Sequence, residues 1–260
     1  MIASASATAL TTAVVTIAIL MVGTWVVSLL LKNASIVDIV WGFGFVCVAW
    51  AVRLNADGLA ARQNLPVAMT TVWGLRLAGY LFWRNHGKPE DYRYRAMRKR
   101  WGPRFPLISL GTVFGTQGVL MFLVSLPVQL GQTATTPSIG VLAWLGVALW
   151  LVGLFFEVVG DAQLARFKKD PANAGVVMDK GLWRYARHPN YFGDFCVWWG
   201  IALVAAETTL GRWGLIGAAV MLLGISLGST VVLQDVWEAR RGVQIMADEG
   251  VSYTAASTPF

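Results

Sequence analysis

GLWRYARHPNYFGD, residues Gly181–Asp194, sets charge and aromatic rings directly ahead of a long apolar segment, 191–210. It holds Arg184, Arg187 and His188, then Pro189, Asn190 and Tyr191. Pro189 disfavours helix at His188 and suits the first turn of a helix, so the next helix is expected to begin near Asn190. On that helix Asn190, Asp194 and Trp198 recur every four residues and share one face. Arginines ahead of a helix N-terminus make an anion site, because unpaired N–H groups and the helix dipole both favour negative charge. The same stretch also reads as a juxtamembrane basic segment that only meets lipid headgroups.

Outward from this stretch the chain is greasy. Of its 260 residues 56% are hydrophobic, 13 are tryptophan and only 13% are charged, whereas a soluble domain has roughly a quarter of its residues charged. Seven apolar segments stand out, near 10–31, 37–54, 67–83, 107–130, 139–159, 191–210 and 213–234. The fold expected from them is an all-α polytopic integral membrane protein with about seven transmembrane helices. No repeat or low-complexity linker divides the chain, so one integral membrane domain over 1–260 is the simplest account. There is little soluble surface on which the net charge of +7 would meet nucleic acid. Membrane orientation and an anionic ligand explain it better. Cys47 and Cys196 fall inside apolar segments and give no disulfide framework. Two histidines and two scattered cysteines make no usual zinc site, so no metal is expected. No Lys or Arg precedes the first apolar stretch, and no cleavable signal is expected.

Orientation follows from the basic residues. With the N-terminus outside, the inner segments 32–36, 84–106, 160–190 and 235–260 hold 17 of the 21 Lys and Arg. Arg53, Arg62 and Arg212 are then outside, and Arg76 lies within a span. The positive-inside bias puts two long basic loops and the C-terminus on the cytoplasmic side. Their field concentrates a phosphorylated ligand arriving from the cytosol, although such a bias needs no ligand. GFG at 42–44 lacks the third glycine and the strand context of a dinucleotide-binding loop. Any nucleotide site must therefore be built from helix ends and loops.

Charges inside spans are costly and usually pair or line a cavity. Asp38 opens the second segment and Arg76 sits in the third. An Asp38–Arg76 ion pair neutralises both; alternatively Asp38, Trp41 and Tyr80 line a substrate cavity. Glu157, Asp161, Leu164 and Lys168 form one face where the fifth segment ends. Carboxylates there suit amide donors and ribose hydroxyls, and lysine suits phosphate, while the bland alternative is a charged helix exit. Gly224 and Gly228 form a GxxxG pair, which is usually helix packing.

GLWRYARHPNYFGD together with DIVWGFGF, GLRL and PEDYRYRAMRKRWG resembles the bacterial uncharacterised (DUF1295-type) branch of the steroid 5-alpha-reductase-like membrane proteins, from about Asp38 onward. The central motif is also similar to one in isoprenylcysteine carboxyl methyltransferases, which use S-adenosylmethionine. The reductase resemblance implies a multi-pass protein of the bacterial inner membrane, with a substrate-cavity half over about 1–130 and a cofactor-binding half over about 139–260. It implies NADPH bound at the cytosolic face. Asp161, Leu164, Lys168, Asn190, Asp194 and Trp198 match cofactor contacts, with Arg184, Tyr185, Arg187, His188, Tyr191, Arg240 and Arg241 as companions. The family's Gln-Glu substrate grip is replaced by Gln63-Asn64, and the catalytic acid falls to Asp38 or Tyr80.

Two activities follow as expectations. One is NADPH-dependent reduction of a carbon–carbon double bond in a lipid-soluble, steroid- or isoprenoid-like substrate. The other is methyl transfer from S-adenosylmethionine. Converging cations suit the phosphates of NADPH, and an acidic, aromatic box suits a sulfonium. A transporter would show broken helices in two similar halves, and none are visible.

Overall fold

The computed structural model describes residues 2–56, 61–133, 138–173 and 176–226. All regular elements among them are helical. They are α1 (Ile2–Leu31), α2 (Ile36–Leu54), α3 (Ala61–Asn85), α4 (Tyr92–Trp101), α5 (Phe105–Ser109), α6 (Thr116–Val124), α7 (Leu126–Gly131), α8 (Val141–Lys169) and α9 (Pro189–Ala206), with an apolar helical stretch over Gly211–Ser226. A π-helical turn, Leu110–Gly115, joins α5 to α6. Two compact units divide the chain, Met1–Met221 and Leu222–Phe260. In the second, Ser226 Oγ donates back to the Leu222 carbonyl at 2.8 Å, a helical i–4 contact. All packing described below belongs to the first.

Four helices are long and apolar enough to cross a membrane: Ser4–Leu31, Ile36–Leu54, Tyr92–Val124 and Val141–Lys169. The expected segment 67–83 lies inside α3, whose Arg62, Arg76 and Arg84 dilute its apolar character. Segment 191–210 falls largely on α9, and 213–234 begins in the shorter stretch Gly211–Ser226. The expected run 107–130 is not one helix. It breaks at Ser125, where ψ reaches 0°, and α7 restarts with a proline in its first turn. Pro127 has no N–H to continue the preceding ladder.

The tightest seam joins α8 to α9. A Cβ on Gly153 would lie 2.5 Å from the Gly193 carbonyl, and one on Gly146 would lie 2.6 Å from that of Gly200. Only glycine permits backbones this close. Gly42 on α2 meets Gly74 on α3 in the same way, with 2.7 Å between its ideal Cβ and the Gly74 carbonyl. Between these pairs sits an aromatic core. Phe45, Trp73 and Trp198 are fully buried, with ring centroids 4.7 Å (Phe45–Trp198) and 5.1 Å (Trp73–Trp198) apart. These rings tie α2, α3 and α9 together, and aromatic pairs of this kind add about 0.5–1.5 kcal/mol each beyond burial.

Each end of the bundle has a polar fastening. At one end Glu207 accepts from the backbone N–H groups of Gly140 and Ala143, both at 2.9 Å, which satisfies the start of α8. Arg62 on α3 bonds the same carboxylate and the Ser138 carbonyl. At the other end α4 folds back onto the turn between α1 and α2.

Candidate functional site

The site is built around Arg76. Trp73 and Arg76 lie one turn apart on α3, and Glu157 and Asp161 lie one turn apart on α8. Arg76 Nη1 donates to Glu157 Oε2 at 2.6 Å, and its other terminal nitrogen donates to Asp161 Oδ2. Trp73 Nε1 donates to Glu157 Oε1 at 2.9 Å. One planar guanidinium thus serves two carboxylates, which a lysine's single point charge does not reproduce. The carboxylates are buried, Glu157 at 3% exposed and Asp161 at 7%.

The expected Asp38–Arg76 ion pair does not form. Asp38 instead accepts from Tyr94 Oη at 2.7 Å and from Arg93 Nη2 at 3.1 Å. The reason is the fold of α4, which delivers both donors to the first turn of α2, while α8 presents Arg76 with two acids at helical spacing.

Along α9 the expected face is present. Pro189 is the first helical residue, one before the expected start. Asn190 Oδ1, Asp194 Oδ1 and Trp198 Nε1 are all buried and have no hydrogen-bond partner among the described residues. At about 1.5 Å per residue, the three side chains span roughly 12 Å of helix. Each unpaired buried polar group costs about 1–3 kcal/mol, so three on one face of one helix point to a ligand. Gly193 lets Glu157 reach this helix: a Cβ there would sit 2.7 Å from Glu157 Cγ.

Between α3 and α8 lies an open groove of about 370 Å³, walled by Tyr80, Trp83 and Ala165 and including Arg76, Asp161 and Arg166. It brings Tyr80 and Asp161, expected on the substrate and cofactor sides, to one cavity. Arg76 and Arg84 stand over the Tyr80 ring at 5.6 and 5.9 Å, and Lys169 Nζ stands 5.8 Å from the centre of the Trp83 ring. Arg84, Arg166 and Lys169 are exposed, so cations mark the mouth of an otherwise apolar groove.

The loop ahead of α9 is held against α8. Trp183 Nε1 donates to the Gly160 carbonyl at 3.0 Å, and the Leu182 N–H donates to Gln163 Oε1 at 2.9 Å. Gly181 takes φ +61° beside Gln163, a conformation that favours glycine. Four of the side chains expected to bind a cofactor, all basic or aromatic, face outward. Arg184, Arg187 and Lys168 are exposed, Tyr185 is 87% exposed, and Leu164 is half-buried. His188 stacks on Tyr191 with centroids 4.9 Å apart. Burial, then the Arg187 charge, holds the His188 imidazole below its ordinary pKa, so it is neutral at pH 7. Arg240 and Arg241 lie outside the described residues.

The structure therefore brings Tyr80, Asp161 and Asp194 to Arg76 and sets Trp198 against Trp73, with Asn190 one turn before Asp194 on α9. Arg76, expected opposite Asp38, and Glu157, expected on the cofactor-facing side of α8, are instead partners of each other, while Trp73 and the cations Arg84, Arg166 and Lys169 enter as site residues that the sequence did not single out. A signal was present: Arg76 is a charge within a span, and α8 carries the matching i, i+4 pair of acids.

The family described as "Protein of unknown function (DUF1295)" matches residues 24–243. An uncharacterized protein of Schizosaccharomyces pombe is 27% identical over 239 residues, covering 79% of this chain and 67% of that protein. The 3-oxo-5-alpha-steroid 4-dehydrogenase 1 of Rattus norvegicus is 34% identical over 82 residues, 31% of this chain and 29% of the relative. A probable O-methyltransferase of Ustilaginoidea virens is also 34% identical over 82 residues, 31% of this chain and 27% of its own. The matched region thus spans under a third of the dehydrogenase and of the methyltransferase. No solved structure matches the chain.

Proposed function

The chain belongs to the DUF1295 family, the uncharacterised branch of the steroid 5-alpha-reductase-like membrane proteins, and on that premise we propose that it is a membrane reductase that uses NADPH to reduce a carbon–carbon double bond in a lipid-soluble substrate. The observation that carries this reading is the row of unpaired polar atoms on α9, Asn190 Oδ1, Asp194 Oδ1 and Trp198 Nε1. Two acceptors and one donor in line fit a ligand with amide and hydroxyl groups along its length. Arg84, Arg166 and Lys169 at the groove mouth fit its phosphates, with Lys168, Arg184 and Arg187 adding positive charge at the end of α8 and just ahead of α9. When bound, the nicotinamide supplies a hydride to the electron-poor carbon.

Tyr80 is our candidate proton donor. Its hydroxyl gives a proton to the oxyanion that develops on the substrate, and the guanidinium groups over its ring favour the phenolate left behind. Asp38, which accepts from Tyr94 and Arg93, is assigned no proton-transfer step. In the same reading α3, α9 and Gly211–Ser226 join the four long apolar helices as seven spans, with the N-terminus outside and the cofactor side facing the cytoplasm.

One observation favours a second reading. Glu157, Asp161 and Asp194 outnumber Arg76, beside Trp73 and Trp198, and an acidic aromatic site suits the sulfonium of S-adenosylmethionine. A thermal-shift titration of the purified protein with NADPH, NADH and S-adenosylmethionine separates the two. Stabilisation by NADPH is the expected result, and stabilisation by the methyl donor alone overturns the reductase.

A further inference from the structure

α4 has two unlike sides. Its inner side is occupied by polar contacts. Tyr94, 6% exposed, donates to Asp38, and Arg93 bridges Asp38 and Asp91 at 3.1 and 2.9 Å. Arg98 holds Glu90 through two bonds of 3.0 and 2.9 Å. Glu90 also accepts from the Ala34 N–H at 2.7 Å, and the Asp91 N–H donates to Ser35 Oγ at 2.7 Å. These contacts fasten the helix to the turn between α1 and α2.

The outer side carries Arg95, Lys99 and Arg100, and Arg104 follows in the 3-10 turn Gly102–Arg104 after α4, all exposed. The ion pairs of this region, among the described residues, use Arg93 and Arg98 and none of these four. Tyr92 (59% exposed) and Trp101 (40%) lie among them, with the Arg100 guanidinium 5.4 Å from the Trp101 ring. The chain then enters the apolar part of the Tyr92–Val124 span, where Leu107 is 74% exposed. Four cations outside these ion pairs and two amphipathic rings thus stand at the edge of a membrane-crossing segment, on α4 and the turn that follows it. Aromatic rings of this kind favour the headgroup level of a bilayer. We infer that this face binds the phosphate headgroups of acidic phospholipids in the adjoining leaflet. The contact is separate from the groove around Arg76 and holds whatever reaction occurs there.

Native mass spectrometry of the full-length protein in detergent, with added phosphatidylglycerol or phosphatidylcholine, tests this. Each basic residue near a membrane surface multiplies affinity for acidic lipid about fivefold. Phosphatidylglycerol should therefore bind at least about tenfold more tightly than phosphatidylcholine, and about 0.5 M salt should abolish most of that preference. The variant R95Q/K99Q/R100Q/R104Q should lose the preference, whereas Arg212→Gln, on an exposed residue at the far end of the chain's described bundle, should keep it. Should the fourfold variant not fold, Lys99→Gln alone should lower the preference about fivefold. Equal binding of the two lipids by the wild type, or undiminished preference in the variants, overturns the inference. So does a competition in which millimolar inorganic phosphate displaces the lipid completely, since that assigns the face to a free anion.

Discussion

Trp73 on α3 donates its indole N–H to the Glu157 carboxylate on α8 at 2.9 Å, joining residues 84 positions apart. The same carboxylate takes Arg76, which also holds Asp161. The joint between these two helices therefore depends on one arginine balancing two buried acids.

Arg76→Met should destabilise the protein by about 3–5 kcal/mol, because it strands buried charge. Arg76→Lys should recover little of this, since one ammonium nitrogen does not reproduce the planar fork whose separate nitrogens reach the two carboxylates. The triple change R76M/E157Q/D161N should recover much of it. Thermal unfolding in detergent measures all three, and a triple variant as unstable as Arg76→Met alone would mean that charge is not the cause.

Asn190→Leu and Asp194→Leu remove unpaired buried oxygens while keeping similar volume. The ligand-free protein should be as stable as the wild type or more so, by up to about 1–3 kcal/mol per site. The stabilisation conferred by NADPH should fall at least about tenfold in apparent affinity, from loss of one hydrogen bond to a charged or polar ligand group. Loss of ligand-free stability with unchanged NADPH affinity would assign these residues to the fold instead.

Alanine at Gly153 should cost about 1–3 kcal/mol, because its Cβ meets the Gly193 carbonyl at 2.5 Å and the Val197 nitrogen at 2.6 Å. Alanine at Gly23, on α1 with nothing within 4 Å, should be neutral or stabilising by up to about 1 kcal/mol through helix propensity. Paired melting curves check the contrast.

Burial raises the Glu90 carboxyl pKa, but hydrogen bonds from Arg98 and from the Ala34 N–H outweigh it and hold the group below its ordinary value of 4.5. A folded-state pKa below the unfolded one contributes stability that is present above about pH 4.5 and lost as pH falls through the folded value. Glu90→Gln should therefore melt earlier than wild type near pH 7, and the gap should close in acid. A gap independent of pH between about 3 and 7 would rule out this linkage.

How much of this was legible in the sequence depended on range. The apolar runs of α1, α2 and α8, the proline that opens α9, and the i, i+4, i+8 face of Asn190, Asp194 and Trp198 are local patterns, and each appears in the fold. Pro127 was also visible inside the run 107–130, and its helix-breaking effect outweighed the uniform hydropathy around it. The partners of Arg76 and Asp38 lie 55 to 85 residues away. Which partner each takes is fixed by helix rotation and by the fold-back of α4, and neither leaves a mark in periodicity. The outward position of Arg184 and Arg187 likewise depends on the Trp183 and Leu182 bonds to α8.

With glycine facing glycine at two levels, α8 and α9 have no layer of side chains between them that could compress or slide. Asp161 and Asn190 accordingly ride on a single stiff beam, and the distance between them is set when the chain folds. The groove beside Tyr80 thus has one unyielding wall, and its width is set by where Trp73 and Arg76 hold α3 against that wall.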